Sequence, residues 1–272
     1  MSSSLYNSET FRELILLIQN YEPEWLYIQP SVLTNLIFYY QYFNIVPPKS
    51  IRYIETVGEI LSESTRKKSS NFFNSIVANM YGSEEMNCIA YECPNNNMHI
   101  LCDNVFVECL KQDNTIESVG SGDAIITNLN NKAMPLIRYY QGDGITLGVT
   151  KECFCEQMGN IVSNIEGRIR NKIINRDTII TPFMLVRAID FVNNRFNEPI
   201  IKYKFDYYFE KKHLVCSLWV ESDYLGWSTA IKTAVIEQLK QYGFDILTIN
   251  ISLVDKAIFN KMLKDEILTI YT

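Results

Sequence analysis

Long apolar runs are missing from this 272-residue sequence: no stretch approaches the roughly 18 consecutive apolar residues that a membrane-spanning helix needs. The first residues, Met-Ser-Ser-Ser-Leu-Tyr-Asn, contain no basic region followed by an apolar segment, so they do not resemble a secretory signal peptide. We therefore expect no membrane as a partner and a cytoplasmic location.

Clustered positive charge is also scarce. Lys and Arg number 25 against 31 Asp and Glu, the net charge is −6, and the densest basic run is Arg66-Lys67-Lys68. Binding to nucleic acid requires grouped cations that neutralise phosphates, so nucleic acid is not expected as a main partner. The seven cysteines are odd in number and lack the spacing of a disulfide framework, which indicates reduced thiols.

Hydrophobic residues make up 47% of the chain, enough for the core of one large or two modest domains. Up to about residue 80, apolar strand candidates at Trp25–Gln29, Ile51–Thr56 and Ile76–Met80 alternate with helices that begin near Pro30 and Ser62. This order predicts a mostly parallel sheet covered by helices, with ligands beyond the carboxyl ends of the strands.

The pattern changes twice after this region. From Cys88 onward apolar and polar residues alternate, as in Val105–Leu110, which predicts antiparallel strands in a small barrel or curled sheet. Past Arg168 a helix capped by Ser228 and a last strand at Phe244–Ser252 complete a compact α+β unit. The expected fold class is α/β, with a partial large domain at residues 1–168 and a small α+β domain at residues 169–272.

Three short motifs follow one another at informative distances. Tyr81-Gly-Ser-Glu-Glu85 comes first, a segment ending in Arg-Tyr-Tyr-Gln-Gly-Asp143 comes about fifty residues later, and Glu166-Gly-Arg168 comes third. Together they resemble the adenylate-forming enzymes, in particular the branch with phenylacetate–CoA ligase and the capsule-biosynthesis ligases. The resemblance covers nearly all of this chain but only the later part of the family, so we expect the N-terminal half of the family's large domain to be missing.

The resemblance implies roles for the first motif in nucleotide binding. Tyr81 would pack near the adenine, Ser83 would lie near the phosphates, and Glu85 would act in catalysis as the ligand of Mg²⁺. Gly58 and Glu59 resemble the family segment that lines the adenine slot. Taken singly, these glycine-containing segments could also be ordinary strand-to-helix turns.

Later residues would complete the site. The resemblance makes Asp143 the acceptor of both ribose hydroxyls and Arg168 the arginine that reaches the ribose and phosphate. Lys264 would be the catalytic lysine that bridges the carboxylate and the α-phosphate, with Lys261 as a competitor for the role. Asp143 could instead be a turn residue before Gly144, and Lys264 a solvated helix lysine.

The implied function is activation of a carboxylic acid with ATP to an acyl-adenylate, followed by transfer to CoA or to the phosphopantetheine thiol of an acyl carrier protein. No Ser/Thr/Gly/Lys-rich phosphate loop occurs in the sequence, and the position before Glu85 carries Glu84 rather than the usual Thr or Ser. We therefore expect a split enzyme completed by a partner chain, or one completed by homo-oligomerisation. The alternative is a non-catalytic relative that binds a nucleotide, an acyl group or a carrier protein.

The segment around His99 contains residues that could bind a metal. Cys93, His99 and Cys102 could bind zinc, but their spacing lacks a paired-cysteine pattern, so zinc is not expected. Cys153 and Cys155 are one residue apart and would face opposite sides of a strand, which suggests no redox function.

Overall fold

The computed structural model describes residues 8–150, 153–155, 157, 159–169, 172–175, 178–197, 199–244, 246–254 and 268–271. Within these residues the helices are α1 (Ser8–Tyr21), α2 (Pro30–Tyr42), α3 (Glu63–Phe73), α4 (Pro182–Phe196) and α5 (Ser228–Gln241). None of these described helices combines the length and apolar character needed to cross a lipid bilayer.

Ten of the described strands form one continuous sheet. They are β1 (Trp25–Ile28), β2 (Tyr53–Val57), β3 (Ile76–Ser83), β4 (Asn87–Glu92), β5 (Met98–Ile100), β6 (Val105–Leu110), β7 (Ile116–Glu117), β8 (Gly120–Asn128), β9 (Tyr139–Thr150) and β10 (Gly159–Arg168). Their spatial order is β1-β2-β3-β4-β5-β10-β9-β8-β6-β7.

The first three strands are parallel and are connected through α2 and α3, as the alternation of apolar segments predicts. Ser62 is the N-cap of α3, because its hydroxyl accepts a hydrogen bond from the backbone N–H of Thr65. The apolar faces of the helices pack on these strands around Leu36, Tyr40 and Ile54, which are fully buried. This packing fixes the carboxyl ends of the parallel strands, where the Tyr81–Glu85 motif begins.

Beyond β3 every strand of the large sheet pairs antiparallel with its neighbours. The α/β class is confirmed, but the antiparallel strands continue the parallel sheet instead of forming a separate barrel. They bury an apolar face that includes Ile89, Ile126 and Ile145. The first motif is therefore followed by a hairpin: Tyr81–Ser83 belongs to β3, and the chain returns directly along β4.

The later residues build a second apolar core. It lies between α4, α5 and a sheet of β13 (Ile200–Tyr208), β14 (His213–Glu221), β15 (Ile246–Val254) and β16 (Leu268–Tyr271), ordered β15-β14-β13-β16. A short hairpin of β11 (Ile173–Asn175) and β12 (Thr178–Ile180) precedes α4. The boundary after Arg168 stays a prediction.

Two details of this region differ from the sequence-based expectation. The N-cap of α5 is Trp227, and Ser228 is the first helical residue, so Ser228 does not cap the helix. The strand near Phe244–Ser252 is β15 and is not the last, because β16 follows and pairs parallel with β13. Non-local strand pairing is not visible in a local pattern, which is why β16 was missed.

Candidate functional site

Tyr81, Asp143 and Arg168 meet where β3, β9 and β10 pass close to one another. The Tyr81 hydroxyl donates a hydrogen bond of 2.9 Å to Oδ2 of Asp143. Nε of Arg168 lies 3.3 Å from Oδ1 of the same carboxylate, and the two residues are register partners in the β9–β10 pair. The carboxylate of Asp143 therefore has one tyrosine and one arginine as its described partners.

Burial dominates the electrostatics of this group. Asp143 is 7% exposed, and its pKa is raised because burial disfavours the charged carboxylate, although Arg168 and the Tyr81 hydroxyl act in the opposite direction. Burial beside Asp143 also raises the pKa of Tyr81 well above its usual range, so Tyr81 is a neutral hydrogen-bond donor. A buried carboxylate held by fixed donors is suited to accept hydrogen bonds from a diol.

An irregularity in β9 presents this carboxylate. The β8–β9 register shifts opposite residues 141–143, and Gly142 has a φ of +78°, which a residue with a side chain rarely adopts. On either side of this glycine, Gln141 and Asp143 are both buried. The backbone oxygen of Gln141 accepts a 2.9 Å hydrogen bond from Nη1 of Arg168, and its side-chain oxygen accepts one of 3.3 Å from the Ser83 hydroxyl. Gln141 thus connects Ser83 to Arg168.

The turn after β3 carries Glu85. Its Oε1 accepts a hydrogen bond of 3.2 Å from the Tyr139 hydroxyl. Its pKa is lowered, chiefly by its own backbone N–H and then by the Ser83 hydroxyl, so the carboxylate is ionised at neutral pH. The turn also explains Gly82, since a Cβ at this position would lie 2.3 Å from the backbone oxygen of Asn87.

Gly58 and Glu59 follow the neighbouring strand β2. The last β2–β3 register pair is Val57 with Met80, so Gly58 comes at the same point of its strand as Tyr81. Gly58 has a φ of +78°. The Glu59 carboxylate accepts hydrogen bonds of 2.9 Å from both the backbone N–H and the hydroxyl of Ser31, at the N-terminus of α2. This geometry gives Glu59 a structural role in holding the helix start.

The structure thus brings Tyr81, Ser83, Glu85, Asp143 and Arg168 together, as the resemblance implies, although what they bind stays a prediction. Lys264 and its competitor Lys261 lie outside the described residues.

Two site residues were missed by the sequence reasoning, Tyr139 and Gln141. They share a face of β9 with Asp143 at a spacing of two, so the strand periodicity of the second motif could have identified both.

A cavity of about 650 Å³ lies apart from this group. It opens between β8, β10 and the helices α4 and α5, and Asp123, Glu166, Lys172 and Arg187 are among its charged lining residues. Of the described site residues named above, none lines this cavity. Within the group, Tyr81 and Asp143 are buried, and the Arg168 side chain is half exposed.

This architecture is the fold of the adenylate-forming ligases. A 2-hydroxyisobutyryl-CoA ligase in the postadenylation state, in complex with R3-HIB-AMP, superposes with a TM-score of 0.82 at 14% identity over 96% of this chain and 57% of that one. The same ligase in the thioesterification state gives a TM-score of 0.56. The anthranilate CoA ligase AuaEII in complex with anthranoyl-AMP gives 0.67 at 9% identity, over 91% of this chain and 49% of that one.

In sequence the chain is similar to the phenylacetate-coenzyme A ligase of Thermus thermophilus. The two are 27% identical over 176 residues, which is 62% of this chain and 39% of the relative. No protein-family model matches the sequence. The resemblance to the phenylacetate–CoA ligase branch is confirmed, and the chain spans about two fifths of that curated relative and about half of the solved ligases.

Proposed function

We propose that this chain carries the nucleotide-contacting part of a carboxylate-activating ligase, which forms an acyl-adenylate and passes the acyl group to CoA or to a carrier-protein thiol. The observation that carries the proposal is the buried Asp143 carboxylate, held between the Tyr81 hydroxyl and the Arg168 guanidinium. The similar solved ligases with acyl-AMP in their names support the same ligand class.

In the proposed reaction, the carboxylate of the acid attacks the α-phosphorus of ATP and pyrophosphate leaves. Asp143 accepts the ribose hydroxyls and so orients the nucleotide, and Arg168, whose side chain is half exposed, also faces the ribose and phosphate. Charge develops on the phosphate oxygens during the attack, so a guanidinium held in place beforehand stabilises the transition state.

Glu85 fits the donor chemistry of Mg²⁺. Magnesium in nucleotide sites is held by one or two carboxylates together with substrate phosphates, and Glu85 is an ionised, partly exposed carboxylate in the turn beside Ser83. When bound, Mg²⁺ neutralises charge on the phosphate oxygens. Ser83 and Tyr139 fix the position of the carboxylate.

The sequence contains no Ser/Thr/Gly/Lys-rich loop that could donate hydrogen bonds to the β- and γ-phosphates. We propose that another polypeptide segment, on a partner chain or a second copy, contributes them. Lys264 would provide the positive charge at the α-phosphate. The alternative function, a nucleotide-, acyl- or carrier-protein-binding module, is favoured by Glu84, which would add negative charge beside the phosphates.

The test combines a measurement of AMP binding with an assay of ATP–pyrophosphate exchange. Calorimetric titration of the full chain with AMP should show binding, and carboxylic acids should stimulate ATP–pyrophosphate exchange, with any co-purifying partner retained. Lys264→Ala should abolish exchange and leave AMP binding intact, whereas Lys240→Ala, a change at an exposed lysine of α5, should alter neither. Absence of AMP binding in the wild type would refute the proposal. AMP binding without exchange in any preparation would favour the binding module.

A further inference from the structure

Four side chains converge at one end of the large sheet, away from Asp143. They are Cys93, His99, Cys153 and Cys155, and one donor atom from each lies within 4.8 Å of all the others. Sγ of Cys93 is 3.7 Å from Sγ of Cys153, and Sγ of Cys155 is 3.1 Å from Sγ of Cys153 and 3.3 Å from Nε2 of His99. The group contains every ligand type of a Cys₃His metal site.

Strand order brings these residues together over a long sequence separation. Cys93 directly follows β4, His99 lies in β5, and β5 pairs with β10 through His99 and Ile161. Cys153 and Cys155 lie in the connection between β9 and β10, outside both strands. The expectation that their side chains face opposite ways is therefore wrong, because the strand geometry on which it rested is absent there.

Cys102 takes no part in the cluster. It is exposed, and its thiol donates to the backbone oxygen of Ile100. The expectation against zinc rested on the spacing of Cys93, His99 and Cys102, which lacks a paired-cysteine pattern, whereas the cluster in the structure contains Cys153 and Cys155 and not Cys102. Sequence spacing around His99 could not show this, since the second pair of ligands is more than fifty residues away.

We propose that Cys93, His99, Cys153 and Cys155 bind a structural zinc ion. A tetrahedral site with Zn–S of about 2.3 Å and Zn–N of about 2.0 Å requires roughly 3.8 Å between sulfurs and roughly 3.5 Å between sulfur and nitrogen. The Cys93–Cys153 and Cys155–His99 separations agree with these values within a few tenths of an ångström. The 3.1 Å between Cys153 and Cys155 is about 0.7 Å shorter than the tetrahedral value, so these two sulfurs would move apart when the ion binds. Four protein ligands leave no open position, which is the arrangement of a structural site and not of a catalytic one.

The surroundings favour zinc thiolates over a disulfide. Nδ2 of Asn97 lies 3.3 Å from Sγ of Cys153 and Nδ2 of Asn95 lies 3.8 Å from it, so two amide groups donate to this sulfur. Donors of this kind stabilise sulfur in its charged form and orient it toward a metal. His99 is 4% exposed, and its Nε2 points at the thiols. A disulfide would join only two of the three sulfurs, and the third thiol and the imidazole would take no part in that bond.

The ion would fasten the β4–β5 hairpin to the β9–β10 connection. β9 and β10 carry Asp143 and Arg168, and the cluster lies at the opposite ends of these two strands. The zinc ion would therefore stabilise the pairing of these strands and would not contact the nucleotide. It is independent of the proposed function.

The test is metal analysis of the full-length protein, purified without chelator and supplied with zinc. We expect about one equivalent of zinc per chain. Titration of the wild-type thiols with a mercurial reagent should release that zinc, and this measurement needs no variant. Cobalt(II) should replace zinc and give the visible and near-ultraviolet bands of thiolate coordination.

Matched variants identify the ligands. Cys102→Ser, a change at an exposed cysteine of the same region, should retain the full equivalent, whereas Cys153→Ser should lose it. Asn97→Ala keeps all four ligands and should weaken zinc affinity by about 10–100-fold, so the proposal does not depend on a variant that fails to fold. Wild-type protein without zinc, iron in place of zinc, or a disulfide among Cys93, Cys153 and Cys155 in peptide mapping would overturn the proposal.

Discussion

Replacement of Asp143 by Asn should weaken AMP binding strongly and leave the free energy of unfolding nearly unchanged. In the proposed complex the carboxylate accepts hydrogen bonds from both ribose hydroxyls, and hydrogen bonds to a charged group contribute about 1.5–3 kcal/mol each. The amide retains one acceptor oxygen and loses the charge, so we expect a loss of about 3 kcal/mol. At 1.4 kcal/mol per factor of ten, AMP should bind roughly 100-fold more weakly.

The folded state should tolerate this change. Burial raises the pKa of Asp143, so the ionised carboxylate is less favourable in the folded chain than in water, and a neutral amide removes that cost. The Arg168 side chain, 50% exposed, stays solvated without its partner, and such ion pairs contribute at most about 1 kcal/mol. The free energy of unfolding in urea should therefore change by no more than about 1 kcal/mol.

Asp206 provides the matched control for this experiment. It too has a tyrosine donor, the Tyr271 hydroxyl at 3.3 Å, and a cationic partner, Lys204 at 3.2 Å, but it lies in β13 of the second core. Asp206→Asn should leave AMP affinity within about twofold of the wild type. Unchanged AMP affinity in Asp143→Asn, or an equal loss in Asp206→Asn, would refute the assignment of the ribose contact.

Three further outcomes are expected. AMP affinity, measured by calorimetry across acidic pH, should fall as the pH drops through the raised pKa of Asp143, above the range in which an ordinary aspartate is protonated, because binding needs the ionised form. Glu59→Ala should lower the free energy of unfolding by about 1–2 kcal/mol, since it removes acceptors at the start of α2, and should leave AMP affinity unchanged. Glu92→Ala should cost about 3 kcal/mol in the same urea assay, because it leaves the mostly buried Arg66 without its bidentate partner.

Each of these outcomes has a control or a contrary result. A pH profile of AMP binding with the midpoint of an ordinary aspartate would contradict the role of burial at Asp143. Loss of AMP binding in Glu59→Ala with unchanged stability would instead support the predicted place of this residue in the adenine slot. Glu24→Ala breaks an ion pair in which both side chains are more than 70% exposed, so it should cost less than about 0.5 kcal/mol. A similar loss of unfolding free energy in Glu92→Ala and Glu24→Ala would contradict the argument from burial.

Local chemistry made much of the first region predictable. Parallel strands separated by amphipathic helices follow from the apolar periodicity, and the N-cap at Ser62 follows from its hydroxyl and the run behind it. The candidate site was named through motifs whose members lie on β3, in the turn after it, and on β9 and β10, and the structure brings five of them together. Tyr139 and Gln141 were overlooked although their spacing with Asp143 marks one face of a strand.

Other features depended on contacts between distant segments. The adenine-slot role of Glu59 stays a prediction, and its hydrogen bonds to Ser31 became visible only when the end of β2 was placed at the start of α2. The antiparallel strands were recognised as such, but nothing in their alternation indicates that they continue the parallel sheet, because alternation records which face is buried and not which strand is adjacent.

The sequence by itself determined the α/β class, most of the helices and strands, and the resemblance that directs attention to Asp143. Tertiary structure decided which side chains meet. Cys93 and His99 join Cys153 and Cys155 only because β5 pairs with β10, and Asp143 acquires Tyr81 and Arg168 only because β3, β9 and β10 belong to one sheet. Propensity and periodicity act over a few neighbouring residues, whereas the sheet brings Tyr81 to Asp143 across 62 positions and pairs His99 with Ile161, and both sites depend on such contacts.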